Sequence, residues 1–328
     1  MGIATRLTSL AAAGVIGAAT LAACSSPAHA PQAMAGRSGL PEAQPSSPAG
    51  TGEPVIGPAP SPTPGLRVDT TPQHVQAAGG ALADASTMQV LWSRGLNTER
   101  PIGSIVKVMT ALVVIEAGGL NRELRIPRSV ISYVAKYQGE SAGLHPGDFL
   151  TTQQLLEAML LQSGCDAAYV LAVNYGKGMT AFLAKMNATA RQLGMLHTHF
   201  TSPDGLPYPT EYSTYSTPAD LLKLGAAAMR LPAFRAIVDL RFYQVKKGRG
   251  HHAYWWDNTD ELIGTYQGAE GIKTGYTDAA KHCLLFEAER HGMTLLGAVL
   301  GSPATGPFTA DVAAARLLNW GFGLKAVA

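Results

Sequence analysis

Cysteine is scarce in this chain: Cys24, Cys165 and Cys283 are the only three among 328 residues. So small a number excludes a disulfide framework, and the spacing matches no set of metal ligands. Histidine supplies no alternative. The adjacent pair His251-His252 reads as strand, where neighbours point to opposite faces, so no metal is expected, and no cofactor either. An excess of charge of one sign is also missing: a net charge of +2 suggests neither nucleic acid nor another polyanion as partner. Internal repeats are absent. Apolar residues are plentiful at 46%, enough to bury the core of one large domain or two small ones.

The one long apolar run lies at the N-terminus. Arg6 precedes an Ala/Leu-rich segment from Leu7 to Ala23, short for a membrane span but suited to an export signal. It ends Leu21-Ala-Ala-Cys24-Ser-Ser, which resembles the bacterial lipobox, where the cysteine thiol takes a diacylglycerol. Cleavage after Ala28-His-Ala30 is the alternative, and both place the mature protein outside the cytoplasmic membrane. Residues 1–24 therefore read as a lipoprotein signal peptide. Residues 25–66 are rich in Pro, Ala and Ser, bury too little to offset their ordering entropy, and read as a disordered tether to a catalytic domain at 67–328.

Within that domain, 78–84 and 88–92 read as two strands about the turn Ala85-Ser-Thr87. A helix at 103–117 ends at Gly118-Gly119; 152–161 starts from a Thr151/Gln154 capping box; 166–175 and 180–193 follow, and another helix opens at Thr217-Pro-Ala-Asp220. The period then changes to that of strands, with a hairpin 241–247/251–257 and strands at 268–274, 281–289 and 293–300, before a last helix at 309–320. Strands at both ends and helices between them predict an α+β fold, one mostly antiparallel five-stranded sheet with helices on both faces.

Ser104 and Lys107 stand three positions apart in Pro101-Ile-Gly-Ser-Ile-Val-Lys107, at the start of an apolar helix. Helical spacing puts them on one face, where a lysine with a lowered pKa can take the serine proton. Ile102, Ile105, Val106 and Val108 would desolvate that amine, and a second cation nearby would add repulsion. Alone, the pair reads first as a helix start with a capping serine and a solvated lysine. Two further motifs change that reading. Ser163-Gly-Cys165 falls in a break between helices, and Lys273-Thr-Gly275 ends a strand. Ser-x-x-Lys, Ser-x-Asn or a variant, and Lys-Thr-Gly in this order mark penicillin-binding proteins and serine β-lactamases.

From about Ala78 to Phe322 the chain resembles the low-molecular-mass penicillin-binding proteins of the serine D-alanyl-D-alanine carboxypeptidase family. The similarity extends to Leu161-Gln-Ser-Gly-Cys-Asp-Ala-Ala168, Phe200-Thr-Ser-Pro-Asp-Gly-Leu206, Gly271-Ile-Lys-Thr-Gly-Tyr-Thr-Asp-Ala-Ala280 and Asn319-Trp-Gly-Phe322. It implies a penicillin-binding protein/β-lactamase-like fold and peptidoglycan stem peptides ending in D-Ala-D-Ala as substrate. β-Lactams would acylate the enzyme, and the membrane would be reached through lipid on Cys24. By resemblance, Ser104 forms the acyl-enzyme, Lys107 moves protons, Ser163 relays one to the leaving amine, and Lys273 holds the local field. Thr274 would bond the substrate carboxylate, with Cys165 and Gly275 beside the substrate and the Ser104 and Tyr276 N–H groups forming the oxyanion hole. The strand of Lys273 would pair with the stem peptide.

Two departures stand out. Cys165 occupies a position where most relatives carry Asn, a far stronger hydrogen-bonding group, which leaves the balance of hydrolysis and transpeptidation open. The arginine often found after the last strand, where it helps to bind the terminal carboxylate, is missing from Gly301-Ser-Pro-Ala-Thr-Gly-Pro-Phe-Thr-Ala310. Either Thr274 and Lys273 suffice, or a basic residue arrives from elsewhere. The resemblance ends with the catalytic domain, so lipid on Cys24 would replace the C-terminal anchor of many relatives. A carboxypeptidase is the first reading and a transpeptidase with the same acyl-enzyme the second. A β-lactamase is disfavoured by the lack of a Glu-x-x-x-Asn segment, and a non-catalytic wall-binding lipoprotein is the non-enzymatic alternative. Phe200–Leu206 and Trp255-Trp256 read as filler rather than substrate contacts.

Overall fold

The computed structural model describes residues 71–303 and 309–325, so the signal peptide, Cys24 and the tether lie outside the described residues. Strands β1 (Gly79–Asp84) and β2 (Val90–Arg94) form a hairpin whose turn is held by Asp84, which accepts from the Ser86 N–H and hydroxyl and from the Thr87 N–H. A 3-10 turn, Gly103–Ile105, runs into α1 (Val106–Ala117). The helical body continues through β3 (Glu123–Arg125), α2 (Ser129–Tyr137), β4 (Phe149–Thr151), α3 (Thr152–Leu160), α4 (Cys165–Tyr175), α5 (Met179–Gln192), α6 (Pro218–Met229) and α7 (Pro232–Val238). Strands β5 (Phe242–Val245), β6 (Tyr254–Asp257), β7 (Ala269–Thr277), β8 (Lys281–Arg290) and β9 (Met293–Ser302) follow, and α8 (Ala310–Lys325) closes the described chain.

The main sheet has the order β2-β1-β9-β8-β7, antiparallel throughout. Its central strands are apolar at consecutive positions because both faces are covered. Leu284, Phe286, Leu295 and Val299 pack with Ala313, Ala314 and Leu317 of α8, whereas Leu285, Leu296 and Ala298 join the core of α1 and α6 on the other face. The expected architecture is thus present, with two revisions: β5 and β6 form a separate two-stranded sheet, and so do β3 and β4.

Local signals placed several boundaries. Thr151 and Gln154 form both bonds of the capping box at α3, and the Thr217 side chain accepts from Asp220 N–H at the start of α6. The helix expected from 103 begins instead as the 3-10 turn. His251 and His252 lie in the connection between β5 and β6 rather than on a strand, and His252 Nδ1 bonds Asp148 while its ring stacks on His145 at 4.0 Å. Trp256 is buried and donates to the Ala142 carbonyl; Trp255 is half exposed and stacks on Phe242.

α1 is buried from Val106 to Val114, as befits a helix surrounded by other elements. Beside it, Glu157 of α3 is 1% exposed and accepts from Gln153 Nε2, and burial pushes its carboxyl up from 4.5 to about 7. A carboxyl raised on folding binds more protons in the native state between those two values, so its contribution to stability falls as pH rises from about 4.5 to 7. Glu157→Gln is therefore expected to raise stability at pH 8 by roughly 2 kcal/mol and to change little at pH 4, measured by denaturant unfolding at both. An equal effect at the two pH values would show that the carboxyl does not titrate in the fold.

Candidate active site

Ser104 is the middle residue of the 3-10 turn and Lys107 lies in the first turn of α1. A 3-10 turn stacks residues i and i+3 almost directly above each other, and Lys107 Nζ donates to Ser104 Oγ at 2.7 Å. The lysine is wholly buried, with Ile102, Ile105, Val106 and Val108, so the solvated-lysine reading fails. Its amine also donates to the Asp204 carbonyl (2.9 Å) and contacts Cys165 Sγ (3.5 Å).

Three other segments converge on this pair. Between α3 and α4, Ser163 adopts φ +62°, a left-handed conformation unusual for a residue with a side chain, and it lines the cleft. Cys165, the first residue of α4, is buried, and burial pushes its thiol up to about 12, so it stands beside Lys107 as a neutral group. From β7, buried Lys273 donates to the hydroxyls of Thr274 (3.1 Å) and Thr259 (3.3 Å), which in turn bond each other at 2.6 Å. Burial first, and the Lys107 charge second, pull Lys273 down to about 7 against the opposing charges of Asp260 and Glu140.

Two glycines allow β7 to lie against the serine turn. A side chain on Gly103, at φ +52°, would meet the Tyr276 backbone nitrogen at 2.8 Å, and one on Gly275 would meet the Ile102 carbonyl at 2.5 Å. Tyr276 itself is half exposed at the rim, its hydroxyl donating to Asp278. β7 is an edge strand of the sheet, and the cleft of about 610 Å³ runs past it, bounded also by Tyr137–Glu140, Asp204–Pro207 and Thr309–Asp311.

The structure brings together Ser104, Lys107, Ser163, Cys165, Lys273, Thr274, Gly275 and Tyr276; Cys24 lies outside the described residues. It also corrects the filler reading of Phe200–Leu206. Phe200 is core, but the Asp204 carbonyl holds Lys107, its carboxylate accepts from Tyr133, and Gly205 and Leu206 line the cleft. Thr259 was not singled out by sequence, since a threonine in a polar turn carries no motif. Asp166 was likewise silent, although its carboxylate accepts from Ser141 Oγ and the N–H groups of Ala142, Leu144 and Ala167, fixing the loop beside Cys165.

Residues 67–304 match the family model described as D-alanyl-D-alanine carboxypeptidase. The chain is 38% identical over 266 residues to the D-alanyl-D-alanine carboxypeptidase of Streptomyces sp. strain K15, covering 77% of this chain and 90% of that protein. It is 39% identical over 247 residues to D-alanyl-D-alanine carboxypeptidase DacB2 of Mycobacterium tuberculosis, covering 74% and 81%. The crystal structure of the Streptomyces K15 DD-transpeptidase superposes with a TM-score of 0.72 at 36% identity, covering 77% of this chain and 99% of that one. Sequence, fold and the convergence of three motifs on one buried lysine pair place the chain in the serine D-alanyl-D-alanine carboxypeptidase family, among the low-molecular-mass penicillin-binding proteins.

Proposed function

We propose that Ser104 is the nucleophile of a D,D-carboxypeptidase that removes the terminal D-Ala from peptidoglycan stem peptides, and that β-lactams acylate it. The observation that carries this is the 2.7 Å contact between Ser104 Oγ and an amine sealed from water. Acting as a free amine, Lys107 takes the Ser104 proton as Oγ bonds the carbonyl carbon of the penultimate D-Ala. The N–H groups of Ser104 and Tyr276 receive the oxyanion. The intermediate then collapses: the C–N bond breaks, the amine of the terminal D-Ala gains a proton through Ser163, and the acyl group stays on Ser104. Water, giving up a proton to the same base, attacks the ester and regenerates the serine. The substrate lies along the open edge of β7.

An amine in place of that water gives transpeptidation. Cys165 favours keeping this reading, because its thiol is a weak partner for a substrate carbonyl, and the solved Streptomyces relative is a DD-transpeptidase. The lipobox-like sequence ending at Cys24 supports an exported lipoprotein held to the membrane by a diacylglycerol, with the domain facing the periplasm or cell wall.

The test uses purified residues 66–328 with labelled penicillin and with a D-Ala-D-Ala peptide. Wild type is expected to take one covalent label and release D-Ala, and Ser104→Ala to do neither. Well-folded wild type that does neither would overturn the enzymatic reading in favour of a wall-binding lipoprotein. For the anchor, Cys24→Ser in the full chain is expected to move the protein from the membrane to the soluble fraction, and an unchanged membrane fraction would rule lipid on Cys24 out.

A further inference from the structure

An enzyme that cuts only at a chain end has to recognise a free carboxylate, and this cleft is poorly furnished for it. The described residues that line it include Glu140, Asp204, Glu211, Glu261, Asp278 and Asp311, and among them a single basic residue, His282. Lys107 is engaged with Ser104 and the Asp204 carbonyl, and Lys273 with two threonine hydroxyls. Arg100 does not line the cleft; its guanidinium lies against Gly79. Among the described residues that line the cleft, only His282 offers an anionic peptide end a basic side chain.

The position of the imidazole suits the task. His282, half-buried near the start of β8, pairs in register with Tyr276 of β7, so the two side chains stand on the same face of the sheet, their rings 4.8 Å apart. Thr274 precedes Tyr276 by two residues along the edge strand and shares the cleft. The groups about His282 are Tyr276 with its acceptor Asp278 from the end of β7, Asp311 from α8, which is coupled to His282 by charge, and Glu261 beside Asp311.

We propose that His282, backed by Asp311, receives the terminal carboxylate of the substrate through its imidazole, in the place of an arginine. This rests on the Ser104 reading above. Thr274 completes the site as a neutral donor, and Tyr276 holds the ring in place by packing.

The experiment compares an N-acyl-D-Ala-D-Ala peptide with its C-terminal amide, in wild type, His282→Gln and His282→Arg. Melting temperatures and penicillin labelling at Ser104 run alongside. His282→Gln is expected to lower kcat/KM for the free acid by about tenfold to a hundredfold, chiefly through KM, and to leave the amide unchanged. His282→Arg keeps the low KM for the acid. Equal losses on acid and amide, or an acid KM indifferent to His282→Gln, would overturn the assignment alone. Wild type that takes no label fails at Ser104 first, and the assignment falls with the nucleophile.

Discussion

Lys107→Met is expected to slow acylation of Ser104 by about a thousandfold or more while leaving the protein folded. The amine is the one base within reach of Ser104 Oγ among the described residues, at 2.7 Å, and no water-exposed group can replace it because Lys107 is fully buried. Methionine fills nearly the same volume, so no large cavity opens, and deleting one of two buried cations relieves repulsion rather than adding it. Lys273 should respond: with the Lys107 charge removed, one of the two causes that hold it down disappears and its pKa rises. The measurement is the rate of covalent penicillin labelling with thermal unfolding as control. A labelling rate within tenfold of wild type at unchanged melting temperature would mean that Lys107 is not the base.

Gly275→Ala is expected to cost about a hundredfold in acylation for a far smaller loss of stability. A methyl group there would stand 2.5 Å from the Ile102 carbonyl, a backbone atom just ahead of the serine turn that has no side-chain freedom with which to yield. β7 has to move away from Ser104, and with it the Tyr276 N–H and the threonine pair. A displacement of about 1 Å at reacting groups costs on the order of a hundredfold, whereas overpacking of this size costs roughly 1–3 kcal/mol in stability. Acylation rate and unfolding free energy measured on one preparation separate the two. Loss of labelling in step with loss of folded protein would show that Gly275 matters for folding alone.

These two predictions share a cause. The three motifs do their chemistry only because separate parts of the chain approach at backbone distance, and small residues set that distance. Gly205 belongs to the same device: a side chain there would run into the Gly103 carbonyl, so the loop that holds Lys107 through the Asp204 carbonyl can close on the serine turn only as glycine.

What the sequence alone determined is whatever depends on short spacing or on a fixed order of rare residues. The Ser104–Lys107 contact follows from helical geometry, and it survives the finding that the turn is 3-10, because both helix types bring residues i and i+3 together. The caps at Thr151 and Thr217 and the stop at Gly118 are local as well, each satisfying backbone groups within one turn. The order of Ser-x-x-Lys, Ser-Gly-Cys and Lys-Thr-Gly carried the family. α2 and α7 were missed although each carries apolar residues at helical spacing, Val130, Tyr133, Val134 and Tyr137 in α2 and Phe234, Ile237 and Val238 in α7: both helices are short, so the period runs for only about two turns.

What the tertiary structure decided is everything that works through position rather than pattern. Thr259 meets Lys273 because the turn after β6 folds over β7, and Asp204 meets Lys107 through a carbonyl that any residue could offer. His282 enters the cleft because the β7–β8 register sets it opposite Tyr276. A hydrogen bond from a backbone carbonyl, a strand register and a charge balance around a cavity are properties of residues far apart in sequence, and no local period records them.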